Sequence, residues 1–253
     1  MRSDSVTGMV NREVLVVAGW GRAILLQLAH PAVAAGVRDH SAFRGSLIAG
    51  MRRLRSTVRA MLSVTFGDTE EMRATAARIH RAHDRVPGAH NPTLQRWVHA
   101  TVVESTLITY ELLVGPLARQ ERDRYCAEAA VMERLLGLPE AWLPRDSAQL
   151  EGYMREMLTG GSLVVTADSR ALAREVLYPP TWRLAWPAFR AVHLLTIGSL
   201  PAAIRQAYGF DWQARDERSF ARWMTAIRTT RRMLPPIARE WPMARRHHWR
   251  RSA

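Results

Sequence analysis

Four of the nine histidines of this chain, His80, His83, His90 and His99, fall within RIHRAHDRVPGAHNPTLQRWVHA at residues 78–100. A neutral imidazole binds metals, and its charge changes near neutral pH. His80 and His83 are three apart, so on a helix they share a face. His99 follows on the next helical segment, beyond a Pro-Gly turn. The two segments aim imidazoles at a common space. Such a set could hold a metal ion directly, as in a mononuclear metal hydrolase using His80, His83 and His99. It could equally hold the iron of a haem, which requires one neutral imidazole and an open opposite face. A haem also calls for arginines near its propionates, and Arg81 and Arg85 flank His83. The blander readings are exposed histidines on a solvated face for His80 and His83, and a silent hydrogen-bonded core histidine for His99.

Several metal chemistries are excluded by absent motifs. There is no His-Glu-x-x-His, so the zinc-protease order is missing. There is no Glu-x-x-His pair of the di-iron bundles. With a single cysteine, Cys126, neither an intrachain disulfide nor a Cys-x-x-Cys-His haem attachment can form. Any haem is therefore held non-covalently. Upstream, Arg53 and Thr57 in RRLRST (52–57) sit four apart on one helical face. Taken alone that spacing describes an ordinary charged face.

Composition narrows the field further. All 36 basic residues are arginine, so no lysine serves as Schiff-base former, general base or iron ligand. The net charge of +13 invites a nucleic-acid reading. Against it, arginines are scattered along every helix, and only the tail ARRHHWRRSA (244–253) is dense. No RNA-binding or zinc-finger motif is present, so nucleic acid is not the expected partner. Pairing with haem propionates, acidic side chains or an anionic membrane surface suits arginine better. The start MRSDSVTGMVNREV lacks an apolar stretch after a basic one, and the expected location is cytoplasmic. No apolar run reaches the length of a membrane span. Ala185–Ile204 comes nearest, but it contains Arg190, His193 and two prolines. It reads first as a core helix, and otherwise as a pocket wall or a segment resting on a membrane.

The elements that must position these residues all read as helix. Residues 13–29 form a buried apolar segment that His30-Pro31 breaks or kinks. A helix over about 43–65 carries Arg53 and Thr57. Asp68 or Thr69 then caps a helix running to about Val86, where Pro87-Gly88 stops it. Asn91 as N-cap and Pro92 at the first position start a long helix over 92–113. Further helices are expected at about 118–136, 147–158, 168–176, 183–195, 200–207 and 215–233. No strand is persuasive; Leu163–Thr166 is too short and isolated. The expectation is an all-α fold, a single irregular multi-helix domain over 1–253. Its core spans about 15–240, with a basic tail at 244–253.

In order along the chain, GRAILLQLAHPAVAAGVRDHSAF (21–43), RLRST (53–57), TFGD (65–68), HRAHDRVPG (80–88), RWVHATVVES (96–105), LLGLP (135–139) and SLPAAIRQAYGFDW (199–212) resemble the family of MpaB-type oxygenases and the rubber oxygenase latex clearing protein. Each motif is loose; the ordered set is specific. The resemblance implies an all-α fold holding haem b, with an iron-binding histidine at His83 in a His-x-x-Val context. His99 and His80 remain alternatives for that ligand, and Arg81 would lie near the cofactor. The family's essential arginine and threonine match Arg53 and Thr57. His30 and His40 match structural or pocket-wall positions. The lysine that can close the family's iron site is Ser56 here, so that closure is absent. The family's catalytic glutamate has no clear counterpart; Asp39 is the nearest candidate.

Together these readings lead to a haem b-dependent oxygenase or oxidase. Its expected partners are O2 and a hydrophobic small molecule such as an isoprenoid, with peripheral membrane contact as a further expectation. The alternatives are a non-enzymatic haem- or ligand-binding helical protein and the metal hydrolase.

Overall fold

The computed structural model describes residues 5–40, 47–178 and 186–246; the side chains at 39–40, 47–51, 53 and 186–189 lie outside the description. Every regular element is helical: α1 Val6–Asn11, α2 Trp20–Leu28, α3 Pro31–His40, α4 Leu47–Phe66, α5 Thr69–His83, α6 Pro92–Leu113, α7 Arg119–Ala129, α8 Met132–Leu136, α9 Ser147–Thr159, α10 Ala167–Leu177, α11 Trp186–Gly198, α12 Ala202–Tyr208, α13 Ala214–Met233 and α14 Pro236–Arg239. A 3-10 segment, Val14–Gly19, leads into α2. Among the described residues the one β-bridge joins Glu13 to Glu240. The all-α reading is borne out.

Helix α6 is the central post. Asn91 caps it by accepting from the Thr93 amide at 2.9 Å, and Pro92 opens it, as the sequence indicates. Trp97, Ala100, Val103, Leu107 and Leu113 are buried. So are the small hydroxyl residues Thr101, Ser105, Thr106 and Thr109. Those short side chains let the 3-10 segment and α2 lie close. A Cβ on Gly19 would sit 2.9 Å from the Ser105 carbonyl oxygen, so only glycine fits there. The α2–α6 seam also buries a charge. Arg22 is 2% exposed. Its guanidinium reaches Glu104 at 2.7 Å, the Ser105 hydroxyl at 2.9 Å and the Ser199 carbonyl at 2.9 Å. A buried charge persists only when paired and hydrogen-bonded in this way.

Several boundaries differ from the sequence reading. The apolar 13–29 segment is not one helix but the 3-10 stretch followed by α2. Ahead of it, Ser5 and Glu128 cap a short α1 that was not foreseen; Glu128 accepts from the Thr7 amide at 2.7 Å. At His30-Pro31 the chain turns by 108° between Val14–Leu28 and Pro31–Arg38. Among the described residues no single helix is long and apolar enough to cross a membrane. Helix α5 ends at His83 rather than Val86. The Val86 amide bonds the His83 carbonyl at 2.9 Å in a tight turn, since Pro87 disfavours helical backbone at the residue before it. The expected 118–136 helix is two, α7 and α8, broken at Ala130-Val131 without any Gly or Pro.

Candidate functional site

One face of each of several helices is left unfilled, and together they enclose a cavity of about 1910 Å³. Helix α4 contributes Leu54, Thr57, Met61 and Val64; α5 contributes Thr75, Ile79, Ala82 and His83. Both sets follow helical spacing, so each is a single stripe. Helix α6 adds Leu94, Val98, His99 and Val102, while α2 adds Trp20, Ile24 and Gln27. Tyr178 at the end of α10 and Val192, His193 and Thr196 on α11 close another side. The segment expected as a core helix or pocket wall is both, over its described part: Leu194, Leu195 and Ile197 are buried in the core.

The structure sorts the four clustered histidines by what their nitrogens already do. His99 lies at the cavity wall, but its Nε2 donates to the Ala129 carbonyl at 3.2 Å. That carbonyl is one of the groups left open at the C-terminus of α7. The remaining nitrogen, Nδ1, is buried without a partner. His80 caps the end of α8 in the same manner, through Nε2 to the Leu135 carbonyl at 3.1 Å. His90 is paired with Asp84 at 2.8 Å and stacks on His80, with ring centroids 6.0 Å apart. Neither His80 nor His90 lines the cavity. His83 does, and neither of its nitrogens makes a hydrogen bond among the described residues; Nδ1 is buried. Its ring meets His90 edge-on at 5.9 Å.

Electrostatics separate them too. Burial pushes the His83 pKa below its usual value, and the neighbouring His90 and His80 add to this against an opposing Asp84. Burial drives His99 further, down to about 4, against the pull of the Ala129 hydrogen bond and of Glu133. Both rings are therefore neutral at pH 7. Of these four, only His83 combines a lowered pKa, a place on the wall and an uncommitted Nε2, so among them it is the best able to hold an iron. Among the described residues no group of three or more His, Cys, Asp or Glu is arranged to hold a metal ion. The triad of His80, His83 and His99 is accordingly not assembled.

The other sequence candidates fall as follows. Thr57 and Ser56 both line the cavity. The side chains of Arg53, Asp39 and His40 lie outside the described residues. Arg81 is exposed and is not on the cavity wall, whereas Arg78, one turn earlier on α5, is. Arg78 also bonds the Thr75 hydroxyl at 2.7 Å. Its wall position follows from the stripe of Thr75, Ile79 and Ala82, a signal present in the sequence. Sequence reasoning missed a polar pair on the cavity lining, Tyr178 and His193, whose hydroxyl and Nε2 are 3.3 Å apart. His193 Nδ1 is buried without a partner, and burial lowers its pKa. Its only signal was a lone histidine in an apolar segment.

A cavity of this size, walled by apolar stripes and presenting one uncommitted neutral imidazole, suits a bound cofactor together with an apolar compound. Comparison with curated proteins and with solved structures finds no match. A family model does match, over residues 8–229: "ER-bound oxygenase mpaB/B'/Rubber oxygenase, catalytic domain". That span includes every motif quoted above, and the chain belongs to this oxygenase family.

Proposed function

We propose that this protein is a haem-dependent oxygenase acting on a hydrophobic small molecule of isoprenoid character. The observation that carries the reading is His83, neutral and without a hydrogen bond among the described residues, on the wall of a cavity of about 1910 Å³. Sites for a single small ligand usually span about 300–1,000 Å³. The extra volume gives room for a macrocycle and a substrate side by side. His83 would supply the imidazole ligand through Nε2. Arg78 and Arg174 line the wall and have no acidic partner among the described residues, so they would face the propionates. When bound, haem supplies the oxygen binding and electron transfer that side chains lack.

The chain's own contribution is placement. The stripes of α2, α4 and α6 give the substrate an apolar bed and keep water away from the reacting centre. Thr57 offers a hydroxyl on that bed, and the family match favours a role for it and for Arg53 at the site. Tyr178 and His193 form a polar pair on the same wall, able to hold a proton between hydroxyl and Nε2. The test is oxygen uptake by haem-loaded protein with short isoprenoid alkenes, using isotopically labelled O2. The expected result is substrate-dependent uptake with label in the product. Stable haem without turnover would favour the non-enzymatic haem-binding reading instead.

A further inference from the structure

We propose that the turn joining α13 to α14 docks this protein on an anionic lipid surface. Large apolar side chains are exposed in few places among the described residues. Leu54, Val98, Val102, Tyr178 and Val192 owe their exposure to the cavity they line. Away from it, Val164 stands alone at 53%, whereas Met233 at 81% exposed, Leu234 at 42% and Ile237 at 69% all fall within five residues. Every residue from 232 to 238 is exposed. Such a contiguous apolar patch on a folded surface marks a contact site.

The patch is a preformed knuckle rather than a loose loop. Pro235 and Pro236 fix their own backbone angles within it. Below it, Arg231 Nε donates to Glu13 at 2.9 Å, and Arg228 donates to the Glu111 carbonyl. Beyond it, the Trp241 amide bonds the Arg12 carbonyl at 3.0 Å. Docking therefore orders little that is not ordered already.

Charge selects the occupant. Residues 218–253 contain ten arginines and one acidic residue, Glu240, which faces Arg12 at 3.6 Å. Arg232 adjoins Met233, is exposed, and has no acidic partner among the described residues. Apolar tips flanked by arginines match an anionic bilayer, with methionine and isoleucine reaching the acyl boundary and guanidinium groups at the phosphates. A second copy of the chain would meet the same positive field and be repelled. A nucleic acid would make no use of Met233 or Ile237. Trp241, four residues beyond Ile237, lines the cavity. Docking would thus set a cavity wall beside a reservoir of apolar compounds; that consequence rests on the proposed function, whereas the docking does not.

The test is co-sedimentation of the full chain with phosphatidylcholine vesicles, with and without phosphatidylserine. Binding is expected only to the anionic vesicles and should weaken as salt rises. Met233→Ser combined with Ile237→Ser should lower partitioning by at least about tenfold, with unchanged helical circular dichroism. Arg232→Gln should lower it about fivefold. Equal binding to neutral vesicles, or wild-type binding by the double variant, would overturn the proposal. So would a self-association that the double variant abolishes, or salt-sensitive DNA retention without vesicle binding. The readout needs no haem or turnover, so failure here is distinct from failure of the proposed reaction.

Discussion

His80 and His99 each give Nε2 to a carbonyl at a helix end, Leu135 and Ala129 respectively. His83 gives neither nitrogen to anything among the described residues, and on that difference rests the proposal that it, rather than its neighbours, is the ligand. His99 should show its structural role in the pH dependence of stability. Its folded pKa is about 4, against 6.5 for an unperturbed ring. Between those values the unfolded chain binds the additional proton, so stability falls as pH falls through that window. The stabilisation is fully present above pH 6.5 and amounts to at most about 3 kcal/mol. Replacing His99→Gln should flatten the change in denaturation midpoint between pH 6.5 and 4; an unaltered slope would show that the ring is solvated. Four histidines within twenty residues were legible as a chemical cluster. Which nitrogens were already committed was not, because the accepting carbonyls lie 55 and 30 residues away in sequence.

At the scale of elements, the seam between α2 and α6 depends on one buried cation. Arg22→Ala would leave Glu104 without its partner and open the Ser105 and Ser199 bonds. The expected cost is about 3–5 kcal/mol, read as a shift in denaturant midpoint. Pairing Arg22→Met with Glu104→Leu should recover most of it; no recovery would mean that the Ser105 and Ser199 contacts carry the stability instead. Helix limits were legible wherever punctuation was strong. Asn91-Pro92 set the start of α6, and Asp68 capped α5 through the Glu71 amide at 2.8 Å. Legibility failed where only tertiary contacts decide. The α7–α8 break carries no Gly or Pro, yet it exposes the Ala129 carbonyl that His99 takes. Helix α1 is six residues long and is held by Glu128, more than a hundred residues downstream. Arg22 lay inside a segment read as plain apolar core, since its partners come from α6 and the end of α11.

Over the whole molecule, the helices do not fill their own interior. The stripes from α2, α4, α5 and α6 are each legible as an amphipathic pattern, and each would ordinarily be assigned to core packing. Only their arrangement in space shows that they face a cavity of about 1910 Å³ rather than one another. The chain belongs to an oxygenase family by its match over residues 8–229, and the proposed haem site lies at the wall of this cavity formed by α5. The measurement that bears most directly on this is haem titration of the purified protein, followed by its ultraviolet–visible spectrum, for the wild type, His83→Ala and His99→Ala. The wild type should give a Soret band that shifts on reduction and on carbon monoxide addition. The His83→Ala variant should lose it, and His99→Ala should keep it, with lower stability. A wild-type protein that takes up no haem, or a His83→Ala variant that retains the full band, would contradict the assignment of His83 as the haem ligand.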